Sequence, residues 1–344
     1  MAYNFMEGFD GIPTTTVGAT VNAAFVARGL NPASYNAQEI LGPGSTRTGV
    51  GNCYGPYHGG AGSTPGGLHF RVAGEDATAA FGMAVRSEGA ATWDGERFWE
   101  ITDVNGLVCV IRPGNNDDAV ISIAYNPSGT ANDINTTVAC TLGAWHFIEV
   151  VWASNKFEFW IDGVLAYSKK VQTAQAAIRT VYGCRGRWNG LSNKRLYYDD
   201  CYYTDSGIRW GEGTARVLPL GTQVSNTGTV TNAADAAAAL LAYDDAAKYV
   251  TYAAGQKSLV NVGDITDSPL AIACVQVAVV GKKTGTALTT EQIKLVTGSE
   301  ANISTPALPM SNVGCRAGVL TDPHDSAAWT KAKINAMQVG VGSA

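Results

Sequence analysis

Residues 143–165 read "GAWHFIEVVWASNKFEFWIDGVL", with six aromatic residues in twenty-three positions. Taken in steps of two, His146, Ile148, Val150 and Trp152 fall on one side, and Phe147, Glu149 and Val151 on the other. After "ASNK" the pattern resumes, with Phe157, Phe159 and Ile161 alternating against Glu158, Trp160 and Asp162. A β-strand turns successive side chains to opposite faces, so strict alternation of this kind marks strands. The "ASNK" break suits a hairpin loop, and Asp162 followed by Gly163 is a tight-turn pair. Three strands therefore run in series here and fold back on one another. Burying each aromatic or branched side chain stabilises by roughly 1.5–3 kcal/mol, so the rings read as filling between sheets and not as the lining of a cleft.

Other segments behave in the same way. "GLHFRVAG" and "AFGMAVRS" are short strand candidates, and "RFWEITDVNGLVCVIRPG" reads as strand, Asn105 and Gly106 turn, strand. "DAVISIAYNPSG" gives another strand closed by a turn. In "RLYYDDCYYTDSG", Tyr198, Asp200 and Tyr202 alternate against Tyr197, Asp199, Cys201 and Tyr203. Short strands at regular spacing with Gly and Asn turns indicate an antiparallel sandwich of the jelly-roll kind over about residues 1–210.

Composition agrees with a turn-rich β protein and removes several classes of function. Only 15% of residues are charged and forty are glycine, against the usual quarter or so charged. Net charge is −5 with no basic block, so nucleic acid is not an expected partner. The start, "MAYNFMEGFDGI", carries Glu7 and Asp10 where an export signal would be basic, and the longest apolar run, "LAIACVQVAVV", is about half a membrane span. No membrane association is expected, and the chain reads as soluble and made in a cytoplasm. Seven widely spaced cysteines without a C-x-x-C pair read as buried reduced thiols, not a zinc site; the alternative is cross-links between subunits after release.

The composition changes near "TDSGIRWGEGTARVLPLGTQ", after which Trp329 is the one remaining tryptophan. "NAADAAAALLAYDD" is a helix candidate capped by Asn232. "SLVNVGDI", "AIACVQVAVVGKK", "IKLVTG" and "RAGVL" are strand candidates. Near the end, Asp325 or Ser326 caps a short helix, "AAWTKAKINAM", whose Trp329, Ile334 and Met337 would dock on the sheet before a last "QVGV" strand. The expected division is a jelly roll over residues 1–213 and a smaller β-sandwich with one or two short helices over residues 214–344.

The order of elements carries a resemblance. "FMEGFDGI", "GVGNCYGPY", "WEITDVNGLVCVIRPG", the "GAWHFIEVVW…FEFWIDGVLAY" triple strand and the closing "LYYDDCYYTDSG" resemble a concanavalin A-like, or laminin-G-like, jelly roll. With "AAKYVTYAAGQKSLVNVGDI" and "AAWTKAKINAMQVGV" behind it, nearly the whole chain is similar to structural proteins of tailed bacteriophages that join such a sandwich to a smaller β domain. The resemblance implies an all-β, two-domain virion component, such as a capsid decoration, collar, neck or tail accessory protein. It further implies assembly in the host cytoplasm, contact with other virion proteins and self-association in a symmetric particle. A glycan-binding receptor-recognition module of a tail or fibre is the alternative.

Jelly-roll glycoside hydrolases set two carboxylates on one strand face, whereas Glu100 and Asp103 are three apart and fall on opposite faces. His58, His69, His146 and His324 lie in separate segments, and no serine sits in a G-x-S-x-G elbow. "VVGKKTGTALTT" lacks the first glycine of a phosphate loop, with Gln276 in its place, and Lys283 replaces the Ser or Thr. Asp199 and Asp200 offer too few oxygens for calcium, so one is expected to face solvent and the other to hold a loop. No catalytic residue, metal or cofactor is expected. Tyr54, Tyr57, Trp93, Trp188 and Trp210 are candidate loop aromatics for stacking sugars. Arg185, Arg187 and Trp188, in "GCRGRWNG", are the favoured binding residues, for a sugar or for a neighbouring subunit.

Overall fold

A computed structural model describes residues 4–9, 21, 25, 31–33, 38–42, 47, 52–56, 67–71, 76–87, 99–103, 106–113, 120–125, 132–139, 143–153, 156–170, 177–183, 196–241, 247–267, 269, 271–282, 291–305 and 313–343. The chain divides into two compact units, Met1–Ala23 with Leu30–Arg216, and Ala24–Gly29 with Val217–Ala344. The described residues are mostly β-strand, with two short helices.

The strands of the first unit begin with β1 (Asn4–Glu7), β2 (Asn31–Ala33), β3 (Gln38–Leu41), β4 (Cys53–Pro56), β5 (Gly67–Arg71), β6 (Ala79–Ser87) and β7 (Trp99–Asp103). They continue with β8 (Gly106–Pro113), β9 (Val120–Tyr125), β10 (Asn132–Ala139), β11 (His146–Ala153), β12 (Lys156–Ile161), β13 (Val164–Lys170), β14 (Ile178–Gly183) and β15 (Leu196–Thr204). Two sheets result. One is eight-stranded, in the order β13-β12-β11-β6-β15-β4-β3 with β1 also paired to β15, and the other is ordered β10-β9-β8-β7-β14-β5-β2.

The expected triple strand is β11, β12 and β13, with Val150 opposite Phe159 on one side and Phe81 on the other. Asp162 and Gly163 both adopt positive φ, 49° and 76°, the requirement of a two-residue turn that matches strand twist. The Asp162 carboxylate accepts from Phe147 N at 2.7 Å and lies 2.7 Å from His146 Nδ1, so this histidine holds the hairpin. Ile148, Val150, Trp152, Phe157, Phe159 and Ile161 are buried on the face turned to the second sheet. There Phe81 meets Trp99 of the other sheet, ring centroids 4.4 Å apart, and Phe70 lies 5.2 Å from the same indole.

Two local expectations change. Phe147, Glu149 and Val151, on the opposite face of β11, are just as buried as the sandwich side. The even alternation across β15 also fails. Tyr198 pairs with Val85 and Tyr203 with Phe81, while Tyr202 pairs with Gly82, so Tyr198 and Tyr202 point to opposite faces. A bulge causes this: the pairing jumps from Asp199 opposite Ala84 to Tyr202 opposite Gly82, and Asp200 sits at φ 49°. One extra residue shifts the period of two by one step.

The second unit contains β16 (Leu220–Asn226), β17 (Thr229–Thr231), α1 (Ala236–Leu241), β18 (Tyr249–Thr251), β19 (Lys257–Val262), β20 (Val275–Gly281) and β21 (Glu291–Val296). β22 (Glu300–Ser304), β23 (Val313–Val319), α2 (Lys331–Asn335) and β24 (Gln338–Ser343) complete it. A five-stranded sheet, β16-β19-β24-β21-β22, packs against the ribbon β20-β23. Val260, Ile293, Leu295 and Val339 from the sheet share one core with Val275, Val277 and Ala317 from the ribbon. Trp329, Ile334 and Met337 dock into that core as their spacing predicts.

The helix caps differ from expectation. Asp235, not Asn232, caps α1, its Oδ1 accepting from Ala238 N at 2.8 Å. Thr330 caps α2 through Lys333 N. Asp325 is held outside the helix by Ala327 N at 2.9 Å and by the Lys333 ammonium at 2.7 Å. The turn before α2 is fixed instead by buried Asp322, which accepts from Thr297 Oγ1 at 2.5 Å and His324 N at 2.9 Å, with Lys333 Nζ 2.9 Å away.

Candidate functional site

Among the described residues of the first unit, the outward face of the eight-stranded sheet sets buried polar groups beside aromatic rings. Ala80, Ala84, Phe147, Val151 and Tyr202 form a small second core there, edged by Met6, Trp145, Trp160 and Trp210. Arg209, Trp210 and Gly211, from the segment that follows β15, lie against it. Trp210 stacks on Tyr202 with centroids 4.8 Å apart, and its backbone N–H donates to the Tyr202 hydroxyl oxygen at 3.2 Å. Gly82 makes room below. A Cβ at this position would lie 2.5 Å from the Tyr202 ring and 2.9 Å from Glu149 Cγ.

Glu149, fully buried, is the centre of this layer. Its Oε1 accepts from the Tyr202 hydroxyl at 2.6 Å and from Gly211 N at 2.9 Å. Arg209 Nε lies 3.2 Å from Oε2, an ion pair without hydrogen-bond alignment. Burial raises the Glu149 pKa, while Tyr202, Arg209 and Gly211 oppose the rise. The Arg209 guanidinium also lies 3.9 Å above the Trp160 ring, a cation–π contact.

Asp199 and Asp200 are both buried, so neither faces solvent as expected. Asp199 accepts from Arg47 N at 3.3 Å and from Asp200 N at 2.9 Å. Asp200 accepts from Ala215 N at 2.8 Å and pairs with Arg47 Nη1 at 3.1 Å. Arg47 in turn donates to Gly213 O at 2.7 Å, pairs with Glu212 and lies over the Phe147 ring at 5.1 Å. Asp200 therefore fastens the covering segment, and Asp199 holds the Arg47 backbone. Among the described residues, no three His, Cys, Asp or Glu side chains gather where they could hold a metal ion.

A third arginine differs from these two. Arg86, half-buried on β6, lies between two rings, 4.5 Å from the Tyr197 centroid and 5.2 Å from that of Trp145. None of the described carboxylates forms an ion pair with it, and the nearby acid on the same face, Asp199, is engaged by backbone N–H groups. Trp145 is half-buried, and its Nε1 is enclosed without a hydrogen-bond partner.

Arg185, Arg187 and Trp188 lie outside the described residues, as do Tyr57 and Trp93. Tyr54 is no loop aromatic: it belongs to β4, is fully buried and packs against Phe9 and Tyr198. Trp210 is half-buried against Tyr202. Glu100 and Asp103 alternate between half-buried and buried positions of β7, and so do not face each other. Cys53, Cys201, Cys274 and Cys315 are thiols, not disulfides, and burial pushes Cys53 and Cys274 up to about 12. No described helix is long and apolar enough to cross a membrane. The sequence reading overlooked Gly82, Glu149 and Arg86. A glycine inside the strand "AFGMAVRS" and one acid inside "HFIEVVW" were the signals that something polar and bulky meets there.

No protein-family model matches the chain, and no curated protein matches its sequence. Among solved structures, the binding domain of Paraclostridial Mosquitocidal Protein 1 is similar at 11% identity, 52% coverage of this chain and TM-score 0.40. The chain spans less than half of that domain, 45%. The conserved carbohydrate esterase of Shiga toxin-encoding bacteriophage phi24B matches at 12% identity and TM-score 0.39, covering 56% of this chain and 99% of the other. The binding domain of botulinum neurotoxin serotype G matches at 9% identity and TM-score 0.38, covering 84% of this chain and 88% of the other.

Proposed function

We propose that this chain is a non-enzymatic recognition component of a tailed-phage particle, and that the outward face of its eight-stranded sheet binds a host-surface glycan. One observation carries the binding part: Trp145, Trp160 and Trp210 sit half-buried along one sheet face, with Arg86 and Arg209 laid against aromatic rings of that face. Half-exposed indoles offer sugar rings a flat apolar surface, and adjacent polar groups set orientation. The phage part is supported by the sequence resemblance, from "FMEGFDGI" through "LYYDDCYYTDSG" to "AAWTKAKINAMQVGV". In that role the chain joins other virion proteins and associates with its own copies.

A glycan array tests the binding. Saturable binding to a defined set of host glycans is expected, reduced at least about tenfold by Trp145→Ala in a variant that keeps the wild-type melting curve. Absence of binding to every glycan on the array sinks the recognition role. Labelling the chain in an imaged particle tests the virion role separately.

A further inference from the structure

We infer that Arg86, wedged between Tyr197 and Trp145, is the seat for the negatively charged group of an acidic sugar. This rests on the glycan-binding reading above and narrows it to a class of ligand. Among the described residues, three arginines serve the outward face, and two are neutralised within it: Arg47 by Asp200 and Glu212, Arg209 by Glu149. Arg86 meets two ring faces and, among the described residues, no carboxylate. Ring stacking leaves the charge in place, because the attraction is to the quadrupole of the ring and no anion is supplied. It also fixes the plane of the guanidinium, so that its fork of N–H donors is oriented before a ligand arrives.

A planar fork of this kind matches a carboxylate or a sulfate ester by two parallel hydrogen bonds. The Trp145 ring beside it offers the apolar surface on which the sugar carrying that group would lie. The carboxylates nearest on this face are occupied by backbone donors or by the other arginines, so they do not compete for Arg86.

The test is a microarray of sialylated, uronate-bearing and sulfated oligosaccharides, each printed beside its carboxyl-reduced or desulfated counterpart. The full chain is expected to prefer the acidic member of a pair by about tenfold or more, and the preference should weaken as salt rises. Arg86→Gln should abolish the preference. Arg86→Lys should keep part of it, since the charge remains and the fork is lost. Equal binding to acidic and neutral members, unchanged in Arg86→Gln, overturns the assignment and leaves the glycan reading standing. No binding to either member overturns both. Displacement of the acidic glycan by inorganic phosphate at equal concentration, without any contribution from the sugar, also overturns it. Should Arg86→Gln fail to fold, the acidic-to-neutral ratio of the wild-type chain and the Arg86→Lys variant decide.

Discussion

Two glutamates on interior strand positions, one in each unit, receive opposite treatment. Glu149 of β11 is surrounded by donors: the Tyr202 hydroxyl, Gly211 N and the Arg209 guanidinium. Glu291, the first residue of β21, shares the inward face of its strand with Ile293 and Leu295 and is nearly as inaccessible, at 7% exposure against 0% for Glu149. No described residue donates a hydrogen bond to its carboxylate, and Oε2 is wholly enclosed. Nothing offsets desolvation there, and burial alone lifts its pKa to about 7. The contrast shows that depth does not determine the consequence of burying an acid. In the first unit the acid organises a layer, because each of its partners needs it. In the second it opposes folding whenever it is ionised.

The largest expected effect comes from emptying the organised site. Glu149→Ala leaves Arg209, the Tyr202 hydroxyl and Gly211 N without their acceptor, and should cost about 3–5 kcal/mol in urea unfolding of the first unit. A loss below about 1 kcal/mol would mean that the covering segment holds without the acid, and the contrast with Glu291 would collapse.

Next comes a change of opposite sign. The folded pKa of Glu291, about 7, lies above its ordinary 4.5. The contribution to stability is therefore full below about 4.5, falls as pH rises towards 7, and is lost above that. Glu291→Gln should flatten this profile and leave the second unit about 3 kcal/mol more stable than wild type at pH 8, with little difference at pH 4. Identical pH profiles for the two proteins would show that the acid is stabilised after all.

Arg209→Met separates charge from packing. It keeps a side chain over Trp160 and removes the cation beside Glu149, at an expected cost of about 2 kcal/mol. Carboxyl titration by NMR should show Glu149 rising further. The mildest change is Tyr202→Phe, which deletes one hydrogen bond from the network and should cost about 1 kcal/mol. If it costs as much as Glu149→Ala, the hydroxyl and not the carboxylate is the centre of the layer.

Much of this was legible in the sequence, and the failures share a cause. Alternation identified β5, β6, β7, β11, β12, β13 and β15, and the positive φ values of Asp162 and Gly163 are those their turn requires. What alternation cannot express is what covers a face. Residues 205–216 carry no periodic pattern, yet Trp210 among them packs against the cluster that holds Phe147 and Val151. The pattern also cannot register an extra residue: Asp199 and Asp200 continued the alternation on paper, while the bulge at Asp200 reversed every side chain after it. The Arg86 position escaped notice for a related reason. Its two rings come from β15 and from the residue before β11, and only the strand pairing brings them together.

The segment that closes the outward face also runs on, at Val217, into the long stretch of chain that makes up most of the second unit. Its fastenings are arranged along the path from Val217 inward: Ala215 on Asp200, Gly213 on Arg47, Gly211 on Glu149, Trp210 on Tyr202. A pull applied at residue 217 reaches them one after another, as a zip opens, while the ladder of β15 behind them stays whole. Mechanical load entering through residue 217 would thus be felt first at the aromatic layer, which would come undone before the strands behind it.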